Sequence, residues 1–220
     1  MKISNRLKTV ATLVEDNTNI IDVGCDHALL DIYLYQTKNN ISIEAIDIKA
    51  KPLESAQKNL KKFGLENKIT LTLQDGIENI NNNIDTIIIS GMGTTNILNI
   101  IFKDKNKLKN IKNIIISSNN DYYLLRKTFT KKGYYIKNEK IVLENNKFYP
   151  IILFKKGHQK YNNFILKYGT ISKNNNLVYR KYLNYEKDKL ININKHLSNK
   201  YLIKKIKNKI EIKKLVRKIN

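Results

Sequence analysis

The chain has one cysteine, two prolines, eight glycines and no tryptophan in 220 residues. A single Cys25 excludes an intramolecular disulfide and leaves no Cys/His spacing suited to zinc, so no metal is expected. That cysteine usage fits a cytoplasmic setting. No stretch approaches the roughly 18 apolar residues of a membrane span, and the first turns lack the apolar core of a signal peptide. No membrane association is therefore expected. Acids are scarce too: 19 against 41 lysines and arginines, a net charge of +22.

Arginine is the rarer cation, present only at Arg6, Arg126, Arg180 and Arg217. The 32 asparagines and the wealth of Lys and Ile point to AT-rich coding, so lysine over arginine carries no functional message. The sign of the charge does. A field this positive attracts polyanions over several ångströms, and nucleic acid is the expected partner. The charge is uneven: residues 158–220 hold 17 basic and three acidic side chains. Two regions are expected, a domain over 1–157 and a basic helical tail over 158–220, in a monomer.

The densest information lies in Asn19–Asp31, N-I-I-D-V-G-C-D-H-A-L-L-D. Ile20, Ile21 and Val23 read as a strand, Gly24 as a tight turn, and a helix is expected from about His27 to Gln36. A short amphipathic helix precedes it, carrying Ile3, Leu7, Val10 and Ala11 on one face. Strands are expected at 41–48, 69–73, 84–90, 111–118, 134–143 and 148–154, with helices between the first five. Pro52 sits where a first-turn proline is tolerated, and Gly64 stops that helix. Such alternation predicts an α/β fold, a doubly wound, mainly parallel seven-stranded sheet covered on both faces.

From about Tyr161 the pattern becomes long and helical. Leu183, Leu190 and Leu197 stand seven apart, and a second run follows Ser198-Asn199 with Leu202, Ile203, Ile206 and Ile210. This predicts a coiled-coil-like hairpin of two basic helices.

In open α/β sheets ligands bind beyond the carboxyl ends of the strands, which places Gly24–His27, Asp47, Asp75-Gly76, Ser90–Gly93 and Ser117–Asp121 on one edge. A helix start there would welcome an anion. Asp47, 23 residues after Gly24, suits ribose hydroxyls, and Asp75 suits an adenine amino group. A dinucleotide fingerprint fails, because Asp26 and Leu29 stand where its second and third glycines belong. Asp26 would repel a pyrophosphate. A zwitterionic nucleoside with an ammonium group fits better, and S-adenosylmethionine is such a molecule.

The combination of D-V-G-C-D-H-A-L-L, S-G-M-G (Ser90–Gly93), S-S-N-N (Ser117–Asn120), I-S-N-R-L (Ile3–Leu7) and K-F-Y-P (Lys147–Pro150) resembles the bacterial TrmK-type tRNA (adenine-22-N1)-methyltransferases over essentially the whole chain. The resemblance implies a class I methyltransferase fold, Rossmann-like, with S-adenosylmethionine as donor and a coiled-coil tail assisting tRNA binding. It implies that Gly24, Asp26 and His27 hold the donor's methionine part and Asp47 its ribose. Asp75-Gly76 would read adenine, with Ile48, Ser90 and Gly91 beside them. Met92 and Gly93 would line the acceptor entrance.

Three departures from the family pattern concern that entrance. Asn119 matches the asparagine of the family's Q-P-N, with Ser117 and Ser118 in place of its first two residues. Thr94 stands where a second glycine is usual, and Leu29 where an aromatic residue is frequent. No Asn-Pro-Pro-Tyr is present, as suits a ring nitrogen whose lone pair is already available, rather than an exocyclic amine.

Asp26 and Asn119 are the expected catalytic pair, orienting the base, with Asp26 or His27 receiving a proton. A target adenine must leave its stack, and Tyr149, Tyr122, Tyr123 and Met92 are candidate walls. Lys195, Lys204 and Lys205 are expected to contact tRNA phosphates, which gives affinity without reading sequence. The competing readings are an RNA methyltransferase with another RNA acceptor and a non-catalytic basic RNA-binding protein on the same fold.

Overall fold

A computed structural model describes residues 3–171 and 177–219. The chain divides into two compact units, Met1–Gly169 and Thr170–Asn220. In the first unit, α1 (Asn5–Ala11) leads into β1 (Asn19–Val23), α2 (Leu29–Thr37), β2 (Ser42–Asp47), α3 (Ala50–Lys62) and β3 (Ile69–Leu73). There follow β4 (Thr86–Ser90), α4 (Thr94–Phe102), β5 (Asn113–Ser117), α5 (Tyr122–Lys131), β6 (Tyr134–Glu144), β7 (Lys147–Lys156) and α6 (Asn163–Tyr168). The second unit holds α7 (Leu177–His196) and α8 (Leu202–Ile219).

The seven strands form one sheet in the order β3-β2-β1-β4-β5-β7-β6. Strands β1 to β5 are parallel to their neighbours, and β7 lies antiparallel between β5 and β6. The strand order reverses between β1 and β4, which opens a crevice at their carboxyl ends.

Isoleucine builds the centre. Ile87, Ile88 and Ile89 of β4 and Ile114, Ile115 and Ile116 of β5 are wholly buried. Successive side chains point to opposite faces, so a strand covered on both sides must be apolar throughout, and branching at Cβ suits the pleat. Ile88 and Ile115 pack with Val10, Leu34 and Leu60 on one face. Ile87, Ile89, Ile114 and Ile116 pack with Ile97, Ile101, Leu125 and Phe129 on the other. Burying one such isoleucine contributes about 2 kcal/mol. The β6–β7 hairpin turns on Asn145 and Asn146, with φ of 49° and 58°, the left-handed pair a two-residue hairpin requires.

Two expectations are corrected and one boundary differs. The second helix starts at Leu29, not His27, because Asp26 and Ala28 both take φ of 53° and cannot belong to a right-handed helix. Ala28, its N-cap, offers no side-chain cap. The units meet at 169/170 rather than 157/158. Arg126, wholly buried on α5, donates to the carbonyls of Leu166 and Lys167 (both 3.1 Å), so α6 belongs with the sheet.

In the second unit Leu183 and Leu215 are buried, but Ile203, Ile206 and Ile210 of the expected apolar run are exposed. Polar pairs hold the α7–α8 hairpin near its turn instead. Asn208 donates to the Asn194 side chain (2.8 Å), and Asn194 donates to the Lys205 carbonyl (3.2 Å). Among the described residues no helix is long and apolar enough to cross a membrane, and no His/Cys/Asp/Glu cluster could hold a metal ion.

Candidate donor site and its surroundings

At the carboxyl ends of β1, β2 and β4 lies a cavity of about 350 Å³, lined by Arg6, Asp22, Gly24–His27, Asp47 and Ser90–Met92 among others. The loop after β1 shapes its floor. The Gly24 and Cys25 amides both donate to the Ile46 carbonyl (2.8 and 3.0 Å), which folds the loop against the end of β2. Gly24 has φ of 78°, a left-handed value that glycine adopts at no steric cost. Any Cβ there would come within 2.3 Å of Met92 Cε. The Met92 methyl group thus lies directly over the Gly24 backbone.

Asp26 and His27 stand 3.5 Å apart on the open side, with 72% and 51% of their side chains exposed. The Asn59 side chain donates to the His27 carbonyl (2.9 Å) and fixes that end of the loop. Asp47 is half-buried in the cavity lining, and one of its oxygens accepts from the Lys49 amide (2.9 Å).

Two buried carboxyls lie in the wall. Asp22, near the end of β1, and Asp31, in the first turn of α2, are 3% and 0% exposed. Burial raises the Asp22 pKa well above the usual carboxylate range, and the Asp31 charge adds to the effect. Burial pushes Asp31 up to about 7. A hydrogen bond between the Asp22 and Asp31 carboxyls opposes the rise at Asp31 and adds to it at Asp22. The Cys25 thiol is pushed up by burial and then by Asp31, Asp22 and Asp47, so it stays protonated and unreactive.

The turn after β4 is braced from β5. Asn119 donates from its side-chain amide to the Gly91 carbonyl (2.5 Å) and from its backbone to the Met92 carbonyl (2.8 Å). Gly91 in turn donates to the Ser117 carbonyl (2.9 Å). Asn119 therefore positions the Gly91-Met92 turn and does not itself line the cavity. Beside Gly93, the Thr94 amide donates to the Asn120 side chain (2.9 Å). The hydroxyls of Thr94 and Ser118 lie 2.8 Å apart.

Tyr149, half-buried on β7, carries the Arg6 guanidinium 4.9 Å from its ring centroid and the Lys147 ammonium at 5.1 Å. Asp75 and Gly76 lie apart from the main cavity, in a neighbouring one of about 340 Å³ with Ile77, Asn99, Ile100 and Lys103. The two are linked through β3, where the Gln74 amide donates to the Asp47 carbonyl (3.0 Å). Ile48 is 61% exposed beside them.

The structure thus brings together Gly24, Asp26, His27, Asp47, Ser90, Gly91 and Met92. Asp75 and Gly76 occupy the next hollow, and Gly93 and Asn119 lie behind the turn. Lys195, at the end of α7, and Lys204, in the first turn of α8, are exposed in the second unit. Lys205 is half-buried and donates to the Asn199 side chain (2.9 Å). Arg6 and Asp22 are cavity residues that the motif reading passed over. A carboxylate inside the apolar run Ile20–Val23 was the available signal for Asp22, since an acid is rarely buried without purpose.

Among the residues that line the cavity, Ser90 Oγ and Arg6 Nε are buried without a hydrogen-bond partner. Groups left unsatisfied in a folded protein call for a partner that binds, and this pair suits the polar groups of the donor. The sheet order, the bare glycine turn and the acid-lined crevice define a Rossmann-like protein of the class I methyltransferase type. A family profile described as a methyltransferase domain matches residues 3–152.

The chain belongs to the TrmK-type tRNA (adenine-22-N1)-methyltransferase family. It is 31% identical over 158 residues to the Bacillus subtilis tRNA (adenine(22)-N(1))-methyltransferase, covering 71% of this chain and 66% of that enzyme. The structure of Mycoplasma capricolum TrmK in complex with S-adenosyl-homocysteine is 34% identical, with a TM-score of 0.85 covering 100% of this chain and 98% of that one. Bacillus subtilis TrmK superposes with the same TM-score at 25% identity, over 100% of this chain and 99% of that one.

Proposed function

We propose that the protein transfers a methyl group from S-adenosylmethionine to N1 of an adenine in tRNA, at position 22. The observation that carries this reading is the acid-lined crevice over Gly24, in a chain that follows a TrmK structure with bound S-adenosyl-homocysteine from end to end. The donor supplies an electrophilic methyl group on a sulfonium.

The residues present divide the work. Asp47 accepts from ribose hydroxyls, and the lack of a side chain at Gly24 lets the amino-acid end lie close once the Met92 methyl turns aside. Asp22 and Asp31, both held towards the protonated form by burial, lie behind that end. Asp75 and Gly76 in the adjoining hollow suit the donor's adenine.

Adenine N1 carries an in-plane lone pair, so the attack needs no base to unmask the nucleophile. It needs N1 held in line with the methyl group, and an acceptor for a proton from N6 as the cationic product forms. Asp26 is exposed at the mouth of the cavity, 3.5 Å from His27, and is placed to meet an entering base. Asn119 acts at one remove, by holding the Gly91-Met92 turn that forms the rim. The exposed lysines of the α7–α8 hairpin, Lys195 and Lys204 among them, would neutralise tRNA phosphates and set register without reading bases. Lys205 joins them only if it leaves Asn199.

Methylation of unmodified tRNA transcripts, followed by mapping of reverse-transcription stops, tests the proposal. N1-methyladenine blocks pairing, so a stop opposite position 22 is expected. A product on N6, or none on any tRNA, would overturn it.

A further inference from the structure

We propose that Lys147 takes a backbone phosphate beside the target nucleotide, on the outer side of the cavity mouth. The assignment rests on the reading of the protein as a tRNA methyltransferase, and it goes beyond that reading by naming where the catalytic unit holds the substrate's backbone.

The reaction itself calls for such a contact. An adenine drawn from its stack brings its base to the methyl group and leaves its phosphates at the rim, and the lost stacking must be offset by other contacts. Phosphate contacts also fix register before the base is in place. The mouth by itself is poorly suited to a polyanion, because Asp26, 72% exposed, and Asp47 line the same space. A cation fixed just outside that space is what the backbone requires.

Lys147 stands at that place. It opens β7, and its ammonium lies over the Tyr149 ring, 5.1 Å from the centroid. The Arg6 guanidinium lies over the same ring at 4.9 Å, and Arg6 lines the cavity whereas Lys147 does not. Tyr149 therefore bridges the cavity lining and the open surface. From the other side, the Tyr122 hydroxyl donates to the Phe148 carbonyl (3.2 Å). That bond ties this end of β7 to the segment after β5, which carries Asn119 and braces the Gly91-Met92 turn. The charge of Lys147 is unspent. Its cross-strand neighbour Glu144 accepts from the Arg6 amide (3.3 Å), and no ion pair engages Lys147 among the described residues. A stacked ammonium is held in position with its three N–H donors free for phosphate oxygens. Lys140, by contrast, donates to the Thr12 hydroxyl (2.8 Å) and serves as the control on the same hairpin.

The test is methylation kinetics with the full chain on tRNA joined from synthetic pieces, in which a neutral methylphosphonate replaces the phosphate on either side of the adenine at position 22. Lys147→Gln should raise KM for tRNA roughly tenfold, the scale of a missing charge-assisted contact, and lower the salt slope of tRNA binding by about 0.7. Affinity for S-adenosylmethionine and the melting temperature should stay as in the wild type, as should every parameter of Lys140→Gln. Lys147→Arg should recover most of the loss. At one of the two positions the methylphosphonate should bring the wild type to the level of Lys147→Gln and cost that variant nothing more. Losses that add at both positions would overturn the assignment, as would an unchanged KM or a fall in donor affinity. A wild-type chain that methylates no tRNA would overturn the methyltransferase reading itself, whereas an active wild type beside an indifferent Lys147→Gln would overturn only this inference.

Discussion

Thr94 and Ser118 share a hydrogen bond of 2.8 Å between their hydroxyls, which joins the head of α4 to the end of β5. Both are buried, and Ser118 also donates to the Asn120 carbonyl (2.9 Å). The Thr94 hydroxyl also donates to that carbonyl (2.6 Å), so the two hydroxyls share one acceptor between the head of α4 and the end of β5. Thr94→Ala and Ser118→Ala should each cost about 1 kcal/mol, and the double variant should cost less than their sum. Denaturant unfolding of the three variants measures the coupling, and strictly additive losses would mean that the pair is incidental.

Gly24→Ala should cripple donor binding by two routes. The left-handed φ penalises any Cβ, and that Cβ runs into Met92 Cε. Adding Met92→Ala removes the second obstacle only, so the double variant should bind the donor better than Gly24→Ala and worse than wild type. Calorimetry on both decides the point. Full recovery in the double variant would show that backbone strain contributes nothing.

The buried carboxyls give the stability a definite pH dependence. In the unfolded chain Asp31 titrates near its ordinary 3.8, whereas in the fold burial pushes it up to about 7. The folded state therefore binds the proton more tightly. Its contribution is complete below the unfolded value and is lost as pH rises towards about 7, after which the dependence flattens. Asp22 shifts in the same direction. Stability should fall between about pH 4 and about pH 7, and Asp31→Asn should flatten that fall and be the more stable protein at about pH 8. Unfolding midpoints across this window provide the measurement.

The Arg126–Glu139 pair is wholly buried, with Arg126 Nε donating to Glu139 (3.1 Å). Removing one partner strands a charge, so Arg126→Met should cost about 3–5 kcal/mol, and Arg126→Met with Glu139→Leu should cost less. Thermal unfolding reports the order. A double variant worse than the single one would assign the pair's value to direct attraction.

Lysine-to-glutamine changes at Lys195 and Lys204 should weaken tRNA binding and flatten its salt dependence, by roughly one unit of slope for each phosphate no longer neutralised. Filter binding at several salt concentrations reads this directly. Unchanged slopes would give these side chains another task.

Much of the fold was legible because its causes are local. The isoleucine runs at 86–90 and 113–117 allow only buried strands, Gly64 stops a helix wherever it stands, and Asn145-Asn146 turns a hairpin. The start of α2 was not legible, since nothing in the letters of Asp26 and Ala28 announces a left-handed backbone. The exposure of Ile206 and Ile210 was missed for a related reason. A heptad pattern shows that a stripe exists, but not that Asn194 would bond Asn208 and the Lys205 carbonyl while Ile206 and Ile210 stay exposed. At the site, glycine spacing found Gly24 and Asp47. Arg6 joins them from another element, and only the packing of α1 beside the β4 turn brings it there.

Asp26 and Ala28 hold left-handed backbone, a conformation that costs roughly 1 kcal/mol or more for a residue other than glycine. The Gly24 and Cys25 amides on the Ile46 carbonyl and Asn59 on the His27 carbonyl hold the loop in that shape. A loop fixed by the fold leaves little ordering entropy to set against affinity. Replacing Ala28 by glycine would relax the strain and return that freedom, giving a loop easier to fold and slower to recognise what it is shaped for.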